Sequence, residues 1–159
     1  MNGIQKSMLL WGVICLIGFG VFQFWHASLA EVNTTLAVLS IIGLFALYYW
    51  VPQANRKKLL VAWSILVILG LVISIFWMNG WLSTAGITAP FISMWLVLFT
   101  LGFAYTGHYT KENAWFAAAL IQILLLIGVW LHVASVWDFS YLLLGIITGI
   151  PLILMSFKY

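Results

Sequence analysis

Six apolar runs dominate this chain, and no Asp, Glu, Lys or Arg falls inside any of them. They lie at Met8–Trp25, Thr35–Val51, Leu59–Met78, Phe91–Tyr109, Ala114–Val133 and Ser140–Phe157. Each is close to the ~20 residues a helix needs to cross the hydrocarbon core of a bilayer. A backbone in lipid must satisfy its own N–H and C=O groups, so runs of this length are read as helices. The fold class expected is all-α: a polytopic transmembrane bundle of six helices, arranged as three hairpins in one membrane domain over residues 1–159.

The breaks between the runs fix the orientation. Lys6 precedes the first run. Arg56, Lys57 and Lys58 separate the second from the third, Lys111 separates the fourth from the fifth, and Lys158 follows the sixth. Every basic residue therefore falls on the same side. Lys and Arg are retained on the cytoplasmic face, so both termini are expected inside, in the plasma membrane of a prokaryote. Lys6 and the sequence Ser28, Leu29, Ala30 also fit a cleaved signal, but the first run is long for one and is read as a retained span.

Composition excludes several classes. Of 159 residues 65% are hydrophobic and 6% charged, against about a quarter charged in soluble domains. The net charge of +3 comes from loop residues and is no nucleic-acid signal. Anionic headgroups are the expected partner of Arg56, Lys57 and Lys58, at roughly 1 kcal/mol per charge. The single cysteine, Cys15, can form no intrachain disulfide and is read as a small packing residue.

Ten tryptophans invite a ligand-binding reading. Position along the spans argues otherwise. Trp11, Trp50, Trp63 and Trp115 fall at inner ends, and Trp25, Trp77, Trp81, Trp130 and Trp137 at outer ends. That is the pattern of interfacial aromatic belts, and only Trp95 lies deeper.

Some of the aromatic pattern repeats. Trp11, Gly18, Phe24 and Trp25 recur as Trp63, Gly70, Phe76 and Trp77, each shifted by 52 positions. A fainter third copy, shifted by 53, pairs Trp77 with Trp130 and Trp63 with Phe116. Three parallel hairpins from an internal triplication are expected. On Trp11, Gly12, Gly18 and Gly20, then Trp63 and Gly70, then Trp115, Gly145 and Gly149, the chain resembles the small six-helix membrane proteins of the HdeD type, built from two-helix repeats. Turn prolines expected in such repeats are missing from the first and third hairpins. The resemblance implies a non-enzymatic, stress-related membrane protein and assigns no functional residue.

Gly145 and Gly149 form a small-xxx-small motif that lets another helix approach closely, within the chain rather than across a dimer. Ala114 and Ala118 make a similar face, and Pro151 should kink or loosen the last turns of the sixth helix. Charges inside spans mark proton and ion pathways. Their absence here argues against a proton-coupled pump or a cation channel. No catalytic constellation and no metal motif is read. His26 and His132, both at outer ends, could ligate a haem. Gly128, one turn before His132, leaves space for it, but Phe22 before His26 does not. His108 with Tyr105 and Tyr109 is read as an interfacial cluster. Gln122, roughly 12 Å into its helix, and Gln23 are read chiefly as helix glue, and alternatively as ligand contacts. Ser64, Ser74, Ser93, Thr100 and Thr148 are expected to bond their own helices.

The leading expectation is thus a non-catalytic accessory subunit or stress-linked scaffold. It would face the lipid bilayer and a membrane-protein partner or further copies of itself. The alternative is a binding or transport module for a small neutral or aromatic solute, with Gln122, Trp95 and Gln23 in contact. A bis-histidine haem protein is the second alternative.

Overall fold

The computed structural model describes residues 3–25, 28–51, 53–81, 91–133 and 138–158. Six long helices form within them: α1 (Gly3–Trp25), α2 (Leu29–Trp50), α3 (Gln53–Met78), α4 (Phe91–Thr110), α5 (Asn113–Trp130) and α6 (Ser140–Lys158). All six are long and apolar enough to cross a membrane. The expected all-α bundle is therefore observed, and it fits an integral membrane protein.

Each helix packs on its neighbours in chain order, and α1 returns against α6 to close the ring. Beside these, α4 also touches α6. α4 is the most enclosed, with 61% of its span buried against 22% for α3. α2 and α3 thus present the broadest apolar faces outward.

The closing seam between α1 and α6 is the most extensive in the bundle, and glycine makes it possible. A Cβ on Gly149 would lie 2.7 Å from the Gly12 carbonyl oxygen, and one on Gly12 would lie 2.8 Å from that of Gly149. A Cβ on Gly145 would lie 3.1 Å from the Cys15 carbonyl oxygen. The motif at Gly145 and Gly149 therefore packs within the chain, as expected, with the two helices antiparallel. The alanine face is corrected. Ala118 is buried but Ala114 is exposed, because the buried stripe of α5 runs through Trp115, Ala118, Ala119, Gln122, Leu125 and Val129. α6 continues as helix through Pro151.

Several helix ends differ from the apolar runs, and local chemistry explains them. α2 begins at Leu29, well before Thr35. Ser28 caps it: the Glu31 amide donates to the Ser28 hydroxyl (3.3 Å), and the Ser28 amide donates to the Glu31 carboxylate (2.8 Å). This is a capping box, and the Ser28 amide, then its hydroxyl, holds the Glu31 carboxyl below its ordinary range. Hydropathy alone hides such a start, because the first turn is polar. α3 likewise begins at Gln53, so Arg56, Lys57 and Lys58 occupy its first turns.

α5 stops at Trp130, short of Val133. The Val133 amide bonds back to the Gly128 carbonyl (3.1 Å) and the His132 amide to that of Val129 (3.2 Å). His132 sits at φ 51°, the left-handed position of a Schellman ending. Lys111 holds the same position after α4, at φ 61°, with the Glu112 amide reaching the Gly107 carbonyl (3.3 Å).

One end of the bundle is basic. Lys6, Lys57, Lys58, Lys111 and Lys158 are all exposed there. Lys158 pairs with Glu112 at 2.6 Å, and Lys58 sits 5.4 Å from the centre of the Tyr109 ring. Tyr105 stacks on Tyr109 with centroids 6.4 Å apart, which gives the expected aromatic cluster a definite partner cation.

A tryptophan-lined candidate site

A cavity of about 60 Å³ lies in the basic half of the bundle. All six helices contribute to its wall. α1 supplies Ser7, Met8, Trp11 and Cys15, α2 and its C-cap supply Leu47 and Val51, and α3 supplies Leu59 and Trp63. Phe99 and Thr106 come from α4, Trp115 from α5 and Leu152 from α6. The volume has room for a molecule of roughly five non-hydrogen atoms or more.

Three of its residues overturn part of the aromatic-belt reading. Position along the spans predicts Trp11, Trp63 and Trp115 at the inner interface, yet they turn into the bundle. Trp115 is 1% exposed. Trp11 and Trp63 are half-buried and stack with centroids 6.4 Å apart and 29° between planes. Phe103 bridges onward, 6.1 Å from Trp63 and 5.5 Å from Trp115. By contrast Trp81 and Trp130 are more than half exposed, as belt residues should be. Trp137 and the side chain of Trp25 lie outside the described residues.

Missing side chains opposite the rings make the inward turn possible. A Cβ on Gly43 would come within 2.4 Å of the Trp11 ring, and one on Gly102 within 2.6 Å of the Trp63 ring. One on Gly107 would come within 3.0 Å of the Trp115 Cβ. The Trp11 indole N–H donates to the Gly43 carbonyl at 3.2 Å, so its one polar group is satisfied inside the bundle.

A sequence signal for this site exists. Trp11, Trp63 and Trp115 are spaced by 52 and 52 residues. Ser7 and Leu59, and Leu47 and Phe99, are wall pairs at the same spacing. The shift of 53 assumed for the third hairpin equated Trp63 with Phe116, which is exposed. A shift of 52 equates it with buried Trp115 instead.

Apolar surface dominates the wall, and no Asp, Glu, Lys or Arg lines it among the described residues. The Thr106 hydroxyl donates to the Gly102 carbonyl at 2.7 Å. Ser7 is 2% exposed, and its hydroxyl has no hydrogen-bond partner among the described residues. A buried hydroxyl without a partner carries a desolvation penalty. A molecule in the cavity can remove it.

The residues expected to touch a solute lie elsewhere. Gln122 is fully buried, and its amide donates to the Thr148 hydroxyl at 3.1 Å, with Thr100 at 3.5 Å on its carbonyl side. It ties α4, α5 and α6 together and does not border the cavity, which is the glue reading. Trp95 is also buried and off the cavity, with its ring over Gly70. Its indole N–H and the Ser93 hydroxyl have no partner among the described residues, so the expected back-bond from Ser93 is not made. Ser74 and Thr100 do bond their own helices, at 2.7 Å each.

Gln23 clamps α1 to the start of α6. Its amide donates to the Asp138 carbonyl (2.8 Å) and its carbonyl accepts from the Leu142 amide (3.3 Å). Gln23→Ala removes both bonds and frees an amide in the first turn of α6. The expected loss is about 1–2 kcal/mol of stability, with faster hydrogen exchange at Leu142 as the site-specific readout.

Of the proposed haem ligands, His26 lies outside the described residues. His132 is exposed, with Nδ1 3.0 Å from the Trp130 carbonyl oxygen. Among the described residues no group of three His, Cys, Asp or Glu side chains could hold a metal ion.

No family model, no curated protein and no solved structure matches the chain. Its likeness to the HdeD type is carried by the sequence pattern alone.

Proposed function

We propose that this membrane protein is non-catalytic and binds a small, neutral, chiefly apolar molecule in the Trp11, Trp63 and Trp115 cavity. The observation that carries this reading is the inward turn of three repeat-spaced tryptophans around unfilled volume. A close-packed interior would fill such space, since each void forfeits dispersion contacts. The wall contributes little but apolar surface, which favours neutral ligands over ions. The basic end is assigned to the cytoplasm by the distribution of Lys and Arg, so the site lies in the inner half of the membrane.

A second reading, accessory subunit or scaffold, is favoured by the outward faces of α2 and α3, whose spans are only 28% and 22% buried. Native mass spectrometry from mild detergent separates the two. Ligand binding predicts a small adduct on the wild-type protein that is lost from Leu47→Phe, which adds a ring to the cavity wall. Extra subunits and no adduct would favour the accessory reading and defeat the first.

A further inference from the structure

Ser7 gives the ligand a more definite chemistry, on the premise that the cavity binds a neutral molecule. Ser7 borders the cavity, and its hydroxyl is buried with no partner among the described residues. It lies one helical turn from Trp11, on the side nearer the basic end. Thr106, the other hydroxyl in the wall, already donates to Gly102. The Trp11 indole N–H is likewise engaged with Gly43. Of the two hydroxyls in the wall, that of Ser7 is the one without a partner among the described residues, and it lies toward the basic end.

We propose that the ligand is a small apolar molecule bearing one neutral oxygen group, a hydroxyl or a carbonyl. That group hydrogen-bonds the Ser7 hydroxyl, and the hydrocarbon part packs among Trp11, Trp63 and Trp115. Such a molecule satisfies the open Ser7 hydroxyl and fills the apolar volume beside it. A pure hydrocarbon fills the volume but leaves the serine unpaired. A charged molecule meets no counter-ion in the described wall and is penalised by desolvation.

The test compares n-butanol with n-pentane, matched in size with a hydroxyl exchanged for a methyl. Binding is followed by tryptophan fluorescence in lipid nanodiscs, with Leu47→Phe giving the background from partition into lipid. Wild-type protein should bind both probes above that background. Ser7→Ala should weaken n-butanol about three- to tenfold, the range for one hydrogen bond, and leave n-pentane unchanged or tighter. Ser7→Thr, which keeps the hydroxyl, should retain the alcohol preference. Because the serine side chain bonds nothing in the described protein, its removal takes no bond from the fold. Equal effects of Ser7→Ala on the two probes would overturn the assignment of Ser7 while leaving the cavity as a binding site. Signals no greater than in Leu47→Phe for both probes would overturn the binding site itself.

Discussion

Gly149→Leu is expected to prevent recovery of a folded, monodisperse bundle. The reason is that the atoms a side chain would meet belong to a backbone. A Cβ at position 149 would stand 2.7 Å from the Gly12 carbonyl oxygen and 3.1 Å from the Leu16 amide nitrogen. Rotating a neighbouring side chain cannot relieve that contact, so one of the two helices has to withdraw. The seam that would open is the one that closes the ring, and the small-residue contact is what brings the helices close enough for dispersion to hold them. Gly149→Ala should cost about 1–3 kcal/mol, the usual range for overpacking. Gly149→Leu should exceed about 4 kcal/mol, a loss confined to direct damage of the core. Gly20→Ala provides the control on α1. Nothing lies within 4 Å of the Cβ it would add, so better helix propensity should leave it neutral or stabilised by up to about 1 kcal/mol. Unfolding in graded mixed micelles, followed by far-ultraviolet circular dichroism, gives the values for the two alanine variants, and the recovery of monodisperse protein reads Gly149→Leu. Equal stability of Gly149→Ala and Gly20→Ala would mean that α1 and α6 are not in backbone contact.

The α6 side of this seam was legible in the sequence, though its partner α1 was not. Gly145 and Gly149 lie one turn apart in an apolar run, and small residues at that spacing have few uses other than close approach. The six spans were legible for a similar reason, since lipid admits few folds for a long apolar run. The helix starts were less so. Ser28 and Glu31 form a capping box inside what hydropathy marks as a break, and the polar first turn of α3 reads as a loop until its hydrogen bonding is seen. Least legible was the direction in which a side chain points. An aromatic residue at the end of a span can face lipid or the bundle, and depth in the membrane does not decide between them. For Trp11, Trp63 and Trp115 the deciding residues are Gly43, Gly102 and Gly107, which lie at long or irregular separations in sequence. Gln122 shows the opposite case. A buried amide in lipid must find a partner, so its role as helix glue followed from its depth, and Thr148 supplied the hydroxyl.

Trp115→Ala gives the second large effect and tests the inward turn of the tryptophans directly. The ring is 1% exposed, packs 5.5 Å from Phe103 and walls the cavity between α4 and α6. Its loss removes both buried contact area and the support of Phe103, and the adjoining cavity gives the neighbours little reason to collapse into the space. Large aromatic-to-alanine changes in cores cost about 3–5 kcal/mol, and this one should fall in that range. Trp130→Ala is the comparison, because Trp130 is 54% exposed and ends α5 at the opposite face. If the two residues were equivalent members of interfacial belts, their replacements would have similar small effects. The expected result is a difference of at least about 2 kcal/mol between them in mixed-micelle unfolding. The enlarged cavity of Trp115→Ala should also accept molecules that the wild-type protein excludes by size, so benzene should stabilise this variant more than it stabilises the wild type. Similar stabilities for the two variants would return Trp115 to the membrane interface and remove one wall of the proposed site.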